Sequence, residues 1–153
     1  MSEAHETVLL RPVPVAQHIR LFIYAVRRMA QGGLNDAFAA NAFLSLFGAR
    51  SRRPLILLRA LMAEMARTSH NQIIVAPCCC RMMTAQEAEL LLIVSESRER
   101  ARFAHARICE LLGVDHALGV LSSAQALAQA FGDLAHPLAI QEEVEVEPAF
   151  PMD

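Results

Sequence analysis

The sequence lacks any uninterrupted apolar stretch of about eighteen residues, the length that a membrane-spanning helix needs. Its longest apolar stretches, residues 54–66 and 85–94, are shorter and contain charged side chains. The first six residues have neither a basic segment nor an apolar core, so they do not resemble an export signal. These absences predict a soluble, cytoplasmic protein without a membrane span.

Lysine is also absent, and all fourteen basic residues are arginine. A GC-rich genome explains this bias more simply than anion recognition does, although arginine binds carboxylates and phosphates better than lysine. The net charge of -2 creates no overall field that would attract nucleic acid or an anionic membrane. The chain has no phosphate-binding loop, dinucleotide fingerprint, serine-hydrolase elbow or zinc-protease motif, so we do not predict an enzyme.

Apolar residues recur at helical spacing along most of the 153 residues, a length that fits one domain. The predicted fold is all-α, a compact bundle of four to five helices within residues 14–132. An extended cysteine-rich connector joins two of the helices. Residues 1–13 are predicted to be a flexible lead, and residues 133–153 an acidic, proline-containing tail that is mobile or pairs as an edge strand.

The first predicted helix begins at Val15 and ends at Gly32-Gly33. Helical spacing assigns its apolar face to Val15, Ile19, Phe22, Ile23, Val26 and Ala30. The arginines of this helix, Arg20, Arg27 and Arg28, are predicted to lie mostly on the other faces.

At three later positions the residue types are those that commonly begin a helix. Asn35 is a suitable N-cap, and Pro54 suits the first helical position. Thr84 and Glu87 match a capping box, in which each side chain accepts a hydrogen bond from the other residue's backbone N–H.

Neither glycine nor proline interrupts residues 81–112, so one long helix could span them. The charged residues 95–102 predict instead that the middle of this segment is exposed to solvent or that the helix breaks near Ser97. Gly113 is predicted to end this segment. The last helix is predicted to run from about Asp115 to Gly132.

Three consecutive cysteines, Cys78, Cys79 and Cys80, lie between Pro77 and the predicted helix start at Thr84. The positive end of a helix dipole favours the thiolate form, so reactive and metal-binding cysteines occur at such positions. Adjacent cysteines form disulfides poorly, and a reducing cytosol disfavours structural disulfides. Free thiols or metal ligands are therefore expected.

A metal site is one hypothesis for these thiols. His105 and Cys109 lie four residues apart on a predicted helix, which places both side chains on one face. Cys78 and Cys80 are the expected ligands from the loop, because side chains adjacent in sequence point apart. The four residues would suit tetrahedral zinc, and fewer of them would suit copper(I).

Two other interpretations of the cysteines remain open. A redox-active or nucleophilic thiol is one of them, since Arg81 adds positive charge beside Cys80. Catalysis would further require a base, such as His70 or His105. The simpler alternative, which we favour, is that the cysteines are structural and pack as small buried hydrophobes.

A second cluster comprises Arg50, Arg52 and Arg53 at a predicted helix start, where backbone N–H groups also attract anions. Phosphate or a nucleic-acid backbone could bind there. A solvated turn is the simpler interpretation, and no aromatic residues alternate with the arginines as single-strand binding requires. Nucleic acid is therefore not the expected partner.

The stretch from Ala76 to Thr84, with Pro77-Cys78-Cys79-Cys80 and Met83-Thr84 before an acidic helix start, resembles a small bacterial family of unknown function. The resemblance covers roughly residues 15–130. It implies a cytosolic bacterial protein and no particular activity.

Together these features predict a non-enzymatic binding or interaction module, with a protein partner or a homodimer. A zinc, copper(I) or thiol-redox site at Cys78, Cys80, His105 and Cys109 is the first alternative. Anion or nucleic-acid binding at Arg50–Arg53 is the second.

Overall fold

A computed structural model of the protein describes residues 9–140. Within this range the chain forms six α-helices and one two-stranded antiparallel sheet, so the predicted all-α class is confirmed in its coarse form. In chain order the elements are β1 (Leu9–Pro12), α1 (Gln17–Gly32), α2 (Ala37–Phe47), a short 3-10 turn (Gly48–Arg50), α3 (Arg52–Thr68), β2 (Met82–Thr84), α4 (Ala85–Glu96), α5 (Ala101–Leu112) and α6 (Leu118–Asp133). No helix in this range has both the length and the apolarity needed to cross a membrane.

All six helices contribute to a single apolar core. Helices α3 and α6 pack most extensively against each other, followed by α4 against α5 and α1 against α2. One fully buried large side chain from each helix illustrates the arrangement: Phe22, Phe43, Leu58, Leu90, Ile108 and Phe131. Phe131 meets the rings of Phe43 and Phe47 edge-on, with centroids 6.1 and 5.5 Å apart, a geometry that aromatic pairs favour.

Helix α2 is capped by Asp36 and not by the predicted Asn35. The Asp36 carboxylate accepts a hydrogen bond from the Ala39 N–H at 2.9 Å. It also pairs with the Arg28 guanidinium of α1 at 2.8 Å. Asn35 is exposed one residue earlier, and an asparagine would not supply the charge for this ion pair. The cap therefore also ties α2 to the preceding helix.

Pro54 occupies the third position of α3 rather than the predicted first. The 3-10 turn at Gly48–Arg50 leads directly into a helix that begins at Arg52. A proline fits at this position because N–H groups in the first helical turn have no intrahelical acceptor.

The segment predicted as one long helix or two is two helices, and residues 97–100 separate them. The Ser97 hydroxyl donates a hydrogen bond to the Val94 carbonyl at 2.8 Å. The Ser97 carbonyl accepts one from the Gln125 side chain of α6 at 2.9 Å. These contacts satisfy polar groups at the break, and the division raises the helix number above the predicted four to five.

Gly113 ends α5 as predicted, with a φ of 69° that favours glycine. A Cβ atom at this position would lie 2.8 Å from the Asn71 side chain, so a larger residue would also require that side chain to move. The last helix begins at Leu118, later than predicted, and continues through Gly132 to Asp133.

The two-stranded sheet was not predicted. Strand β1 pairs antiparallel with β2, which lies about seventy residues later in the chain, and the register shifts between Leu9 and Arg11. Residues 9–12 of the lead that we predicted to be flexible thus form a paired strand, and residues 1–8 lie outside the described range. Residues 69–81 form neither helix nor strand, as expected of an extended connector.

The first part of the predicted mobile tail packs on the domain. Leu138 is buried, with 4% of its surface exposed, and belongs to the core. The Pro137 carbonyl lies 2.8 Å from His18 Nε2 on α1 and accepts a hydrogen bond from it. The acidic residues 142–147 lie outside the described range.

We expect Leu138→Ala to lower the free energy of unfolding by about 2–3 kcal/mol, at the lower end of the range for core leucines. Leu118→Ala is the matched control, because 65% of Leu118 is exposed and its truncation should cost less than about 0.5 kcal/mol. Urea denaturation followed by circular dichroism measures both. Equal stability of the two variants would show that residues 134–140 do not pack as described.

Asp36 should make stability depend on pH. Hydrogen bonds from Arg28, and then from the Ala39 N–H, lower the pKa of Asp36 below its ordinary 3.8. A lowered folded-state pKa gives stability that is present above pH 3.8 and is lost as the pH falls through the folded pKa. We therefore expect the free-energy difference between wild type and Asp36→Asn to shrink between pH 7 and about pH 3, in urea denaturation at each pH. Asp115→Asn, at an exposed position, serves as the control, and an unchanged difference for Asp36→Asn would contradict the assignment.

Candidate functional site

A fully buried ion pair joins the first and fourth helices. The Arg27 guanidinium in α1 donates two hydrogen bonds to the Glu87 carboxylate in the first turn of α4, at 2.6 and 3.0 Å. The two side chains expose 2% and 0% of their surface. A buried charge is tolerated only when a partner and hydrogen bonds compensate its desolvation, and this pair has both.

Arg27 also holds the cysteine-containing segment. Its two terminal nitrogens donate to the Cys80 carbonyl at 2.6 Å and to the Met82 carbonyl at 2.9 Å. One side chain thus connects α1, the end of the connector, strand β2 and helix α4. Bonds to an ionised donor are stronger than neutral ones, so this guanidinium fixes the position of the backbone after the cysteines.

The sequence interpretation of Arg27 is wrong. Arg27 was assigned to a polar face of the first helix, yet it lies four residues after Ile23 and next to Val26, on the buried side. That spacing was a usable signal, because a charge at an apolar position implies a buried partner. Glu87, in contrast, was recognised only as a capping residue.

The capping box is present, and Glu87 serves two purposes in it. The Glu87 carboxylate accepts the Thr84 N–H at 2.9 Å, and the Thr84 hydroxyl oxygen accepts the Glu87 N–H at 3.1 Å. The Thr84 hydroxyl also donates to the Ile74 carbonyl at 2.7 Å. The connector is therefore anchored before the cysteines by Thr84 and after them by Arg27.

Between these anchors the three cysteines lie in a turn, in which Cys79 is exposed and the other two are partly buried. The Cys80 N–H donates to the Pro77 carbonyl at 3.0 Å, which closes a four-residue turn with Cys78 and Cys79 in the middle. The sulfur atoms of these two residues lie 3.5 Å apart. The hydrogen bond to Cys78, and then the charge of an ionised Cys78, raise the pKa of Cys79.

The predicted tetrahedral metal site is not assembled. The Cys78 sulfur contacts that of its neighbour Cys79, whereas Cys80 was the expected chelating partner. His105 and Cys109 do lie together, with Nε2 and Sγ 3.6 Å apart. Among residues 9–140, however, no three His, Cys, Asp or Glu side chains converge in a way that could hold a metal ion.

His105 and Cys109 have local structural contacts instead. His105 Nε2 accepts a hydrogen bond from the Ala117 N–H at 3.1 Å, just before α6 begins. The Cys109 thiol donates to the Asp115 carbonyl at 3.6 Å. The pair thus stabilises the turn between α5 and α6, and the histidine nitrogen that would face a metal is engaged.

The arginine cluster at the start of α3 is partly neutralised. Arg53 pairs with Asp133 at the end of α6 at 2.9 Å. Hydrogen bonds from Gln129, and then from Arg53, lower the pKa of Asp133. Arg50 and Arg52 are exposed. This arrangement matches the solvated turn better than an anion site, because a carboxylate already occupies part of the cationic surface.

The cysteine turn forms one wall of an open groove of about 900 Å³. The other walls come from the end of β1, one side of α1 and the C-terminal half of α2. Apolar lining residues include Pro12, Val13, Val15, Leu21, Ala42 and Leu46. The polar lining residues are Gln17, Arg20, Tyr24, Arg27, Ser45 and Arg81, together with the three cysteines. The described part of the chain contributes no aspartate, glutamate or histidine to this lining.

The chain belongs to a protein family described as a family of unknown function, DUF6628, whose model matches residues 1–136. This membership agrees with the resemblance to an uncharacterised family. No curated protein and no solved structure matches the chain. The groove therefore has to be interpreted from its own chemistry.

Removing Arg27 should destabilise the fold severely. Arg27→Met leaves the buried Glu87 charge uncompensated, for which we expect a loss of about 3–5 kcal/mol in the free energy of unfolding. The double variant Arg27→Met/Glu87→Gln removes both charges and keeps an acceptor for the Thr84 N–H, so it should be more stable than the single variant. Urea denaturation measures both.

Arg102→Met is the matched control for that substitution, since Arg102 is exposed on α5, and it should change stability by less than about 0.5 kcal/mol. A double variant no more stable than Arg27→Met would contradict the ion pair. A loss for Arg27→Met no larger than for Arg102→Met would contradict the burial of Arg27.

Proposed function

We propose that the protein is a non-enzymatic binding module and that its ligand-binding site is the groove beside the cysteine turn. The ligand class that fits the groove is an organic anion with an apolar chain or ring. The observation that carries the proposal is the composition of the walls, which combine apolar and cationic residues and, among the described residues, no acidic one.

The charge of the groove favours an anion. Arg20 and Arg81 both line it, and both are exposed. Neither forms an ion pair with any residue of the described range. Arg27 adds no net charge, because Glu87 neutralises it. Two guanidinium groups are therefore available for the carboxylate, sulfonate or phosphate group of a ligand.

The size and the apolar walls favour a small molecule with an apolar part. A volume of about 900 Å³ lies within the range of ligand pockets, roughly 300–1,000 Å³. Val15 is 78% exposed at the edge of the groove. A bound apolar chain would remove this side chain from water, which is favourable in proportion to the area covered.

The surroundings of the thiols favour binding over catalysis. A nucleophilic cysteine ordinarily needs a base within hydrogen-bond distance. The described lining contains no histidine or carboxylate, and His105 is engaged by the Ala117 N–H. The groove thus offers recognition groups without a base for thiol catalysis.

The test is an NMR titration of the protein with octanoate and, separately, with the neutral 1-octanol. We expect saturable octanoate binding with a dissociation constant below about 1 mM and shifts at Val13, Tyr24 and Cys79. The variant Arg20→Gln/Arg81→Gln should weaken octanoate binding at least about tenfold, because each lost charge-assisted hydrogen bond is worth about 1.5–3 kcal/mol. Octanol should bind more weakly than octanoate.

The matched control is Arg50→Gln/Arg52→Gln, which removes two exposed arginines of α3 and the turn before it and should leave octanoate affinity unchanged. Absence of saturable binding would contradict the proposal. Equal affinity for octanol and octanoate would also contradict the proposal. Shifts centred on Arg50–Arg53 would contradict it too, and would favour the alternative anion site there.

A further inference from the structure

We propose that Cys78 and Cys79 form a redox-modification site. Hydrogen peroxide oxidises the two adjacent thiols to a disulfide, and a thiol reductant such as glutathione restores them. The site goes beyond ligand binding, since its chemistry requires no ligand in the groove.

The geometry of the turn brings the two sulfurs together. Cys78 and Cys79 occupy the central positions of the turn that the Cys80 N–H closes on the Pro77 carbonyl. Their Sγ atoms are 3.5 Å apart and already share a hydrogen bond. This is the closest arrangement of thiols described in the chain, because Cys109 instead contacts His105 and the Asp115 carbonyl.

Cys80 is less suited to react with either neighbour. Its carbonyl is held by Arg27, and its N–H closes the turn, so its backbone is fixed on both sides. Cys79 is exposed, whereas Cys78 and Cys80 are partly buried. An oxidant in solution therefore reaches the pair from the exposed side of Cys79, and Cys78 is itself partly accessible.

The pKa of Cys79 decides the order of the two steps. The hydrogen bond to Cys78 raises this pKa, which disfavours the thiolate form of Cys79. Because the thiolate is the nucleophile, we assign the first attack on peroxide to Cys78 and the resolving step to Cys79.

The chemical step balances with peroxide as the two-electron oxidant. The Cys78 sulfur attacks one peroxide oxygen and the O–O bond breaks, giving a sulfenic acid on Cys78 and releasing the other oxygen as water. The Cys79 sulfur then attacks the Cys78 sulfur and displaces the hydroxyl group as a second water. Two thiols and one hydrogen peroxide become one disulfide and two waters.

The product should be easily reduced. Adjacent Cα atoms are about 3.8 Å apart across a trans peptide bond. Most disulfides bridge Cα atoms about 4.4–6.8 Å apart. A bond between neighbours is therefore strained, and strained, exposed disulfides belong to the labile, regulatory kind. This strain makes the modification a reversible one, not a structural crosslink.

Oxidation would also change the proposed binding site, and this consequence rests on the function proposed above. Both sulfurs line the groove, and their turn is continuous with Arg81. Closing the disulfide must shorten the distance between the two sulfurs by more than 1 Å in total, since they are 3.5 Å apart and an S–S bond is about 2.05 Å long.

The experiment treats the reduced, full-length protein with a small excess of hydrogen peroxide, alkylates the remaining thiols and maps the peptides by mass spectrometry. We expect two of the four thiols to be protected, a mass loss of two hydrogens, and the modification located at Cys78–Cys79. Glutathione should return all four thiols. The readout does not depend on ligand binding, so its outcome is separate from that of the octanoate titration.

Cys80→Ser and Cys109→Ser are the matched controls and should still form the disulfide, whereas Cys78→Ser and Cys79→Ser should not. A disulfide that includes Cys80 or Cys109 would overturn the assignment. Oxidation of Cys78 to sulfinic acid without a disulfide would also overturn it, as would a product that glutathione does not reduce.

Discussion

The buried guanidinium of Arg27 is the constraint on which the rest of the structure depends. A charge with only 2% of its surface exposed requires compensation, and Glu87 supplies it from the first turn of α4. The two terminal nitrogens also donate to the carbonyls of Cys80 and Met82. One planar guanidinium binds all of these acceptors. It therefore fixes the positions of the first helix, the cysteine turn and the fourth helix relative to one another. An apolar side chain could fill the same space but could not bind these acceptors.

The groove follows from that arrangement. Arg27 and the Thr84 hydroxyl hold the connector on both sides of the cysteines, so the turn between them forms a wall beside α1. The neutralised Arg27 leaves the cationic character of the groove to Arg20 and Arg81 at its surface. Arg27 thus has a structural role, and the proposed ligand recognition falls to Arg20 and Arg81. Composition alone does not distinguish these three arginines. The redox site that we propose for Cys78 and Cys79 lies in the wall of this groove.

Local features of this fold were predictable from sequence, and contacts between distant residues were not. The capping box at Thr84 and the helix end at Gly113 depend on neighbouring residues, and both are present as predicted. The pairing of β1 with β2 joins short segments about seventy residues apart, and neither has a distinctive alternation. The role of Arg27 was signalled by its position four residues after Ile23, but its partner Glu87 is sixty residues away. For the metal hypothesis, helical spacing relates His105 to Cys109 but relates neither residue to the distant cysteine turn, and among residues 9–140 no such cluster of ligands converges.

The most direct test of this account is NMR measurement of the Arg27 side-chain N–H groups in the wild-type protein, assigned from the spectrum of an Arg27→Lys variant. We expect the Arg27 Nε–H and terminal N–H signals to be resolved and to exchange with water far more slowly than those of the exposed arginines. They should also show contacts to α4 protons. Exchange of the Arg27 groups as fast as that of exposed Arg102 would contradict the burial of the guanidinium, and with it the basis of the cysteine turn and the groove.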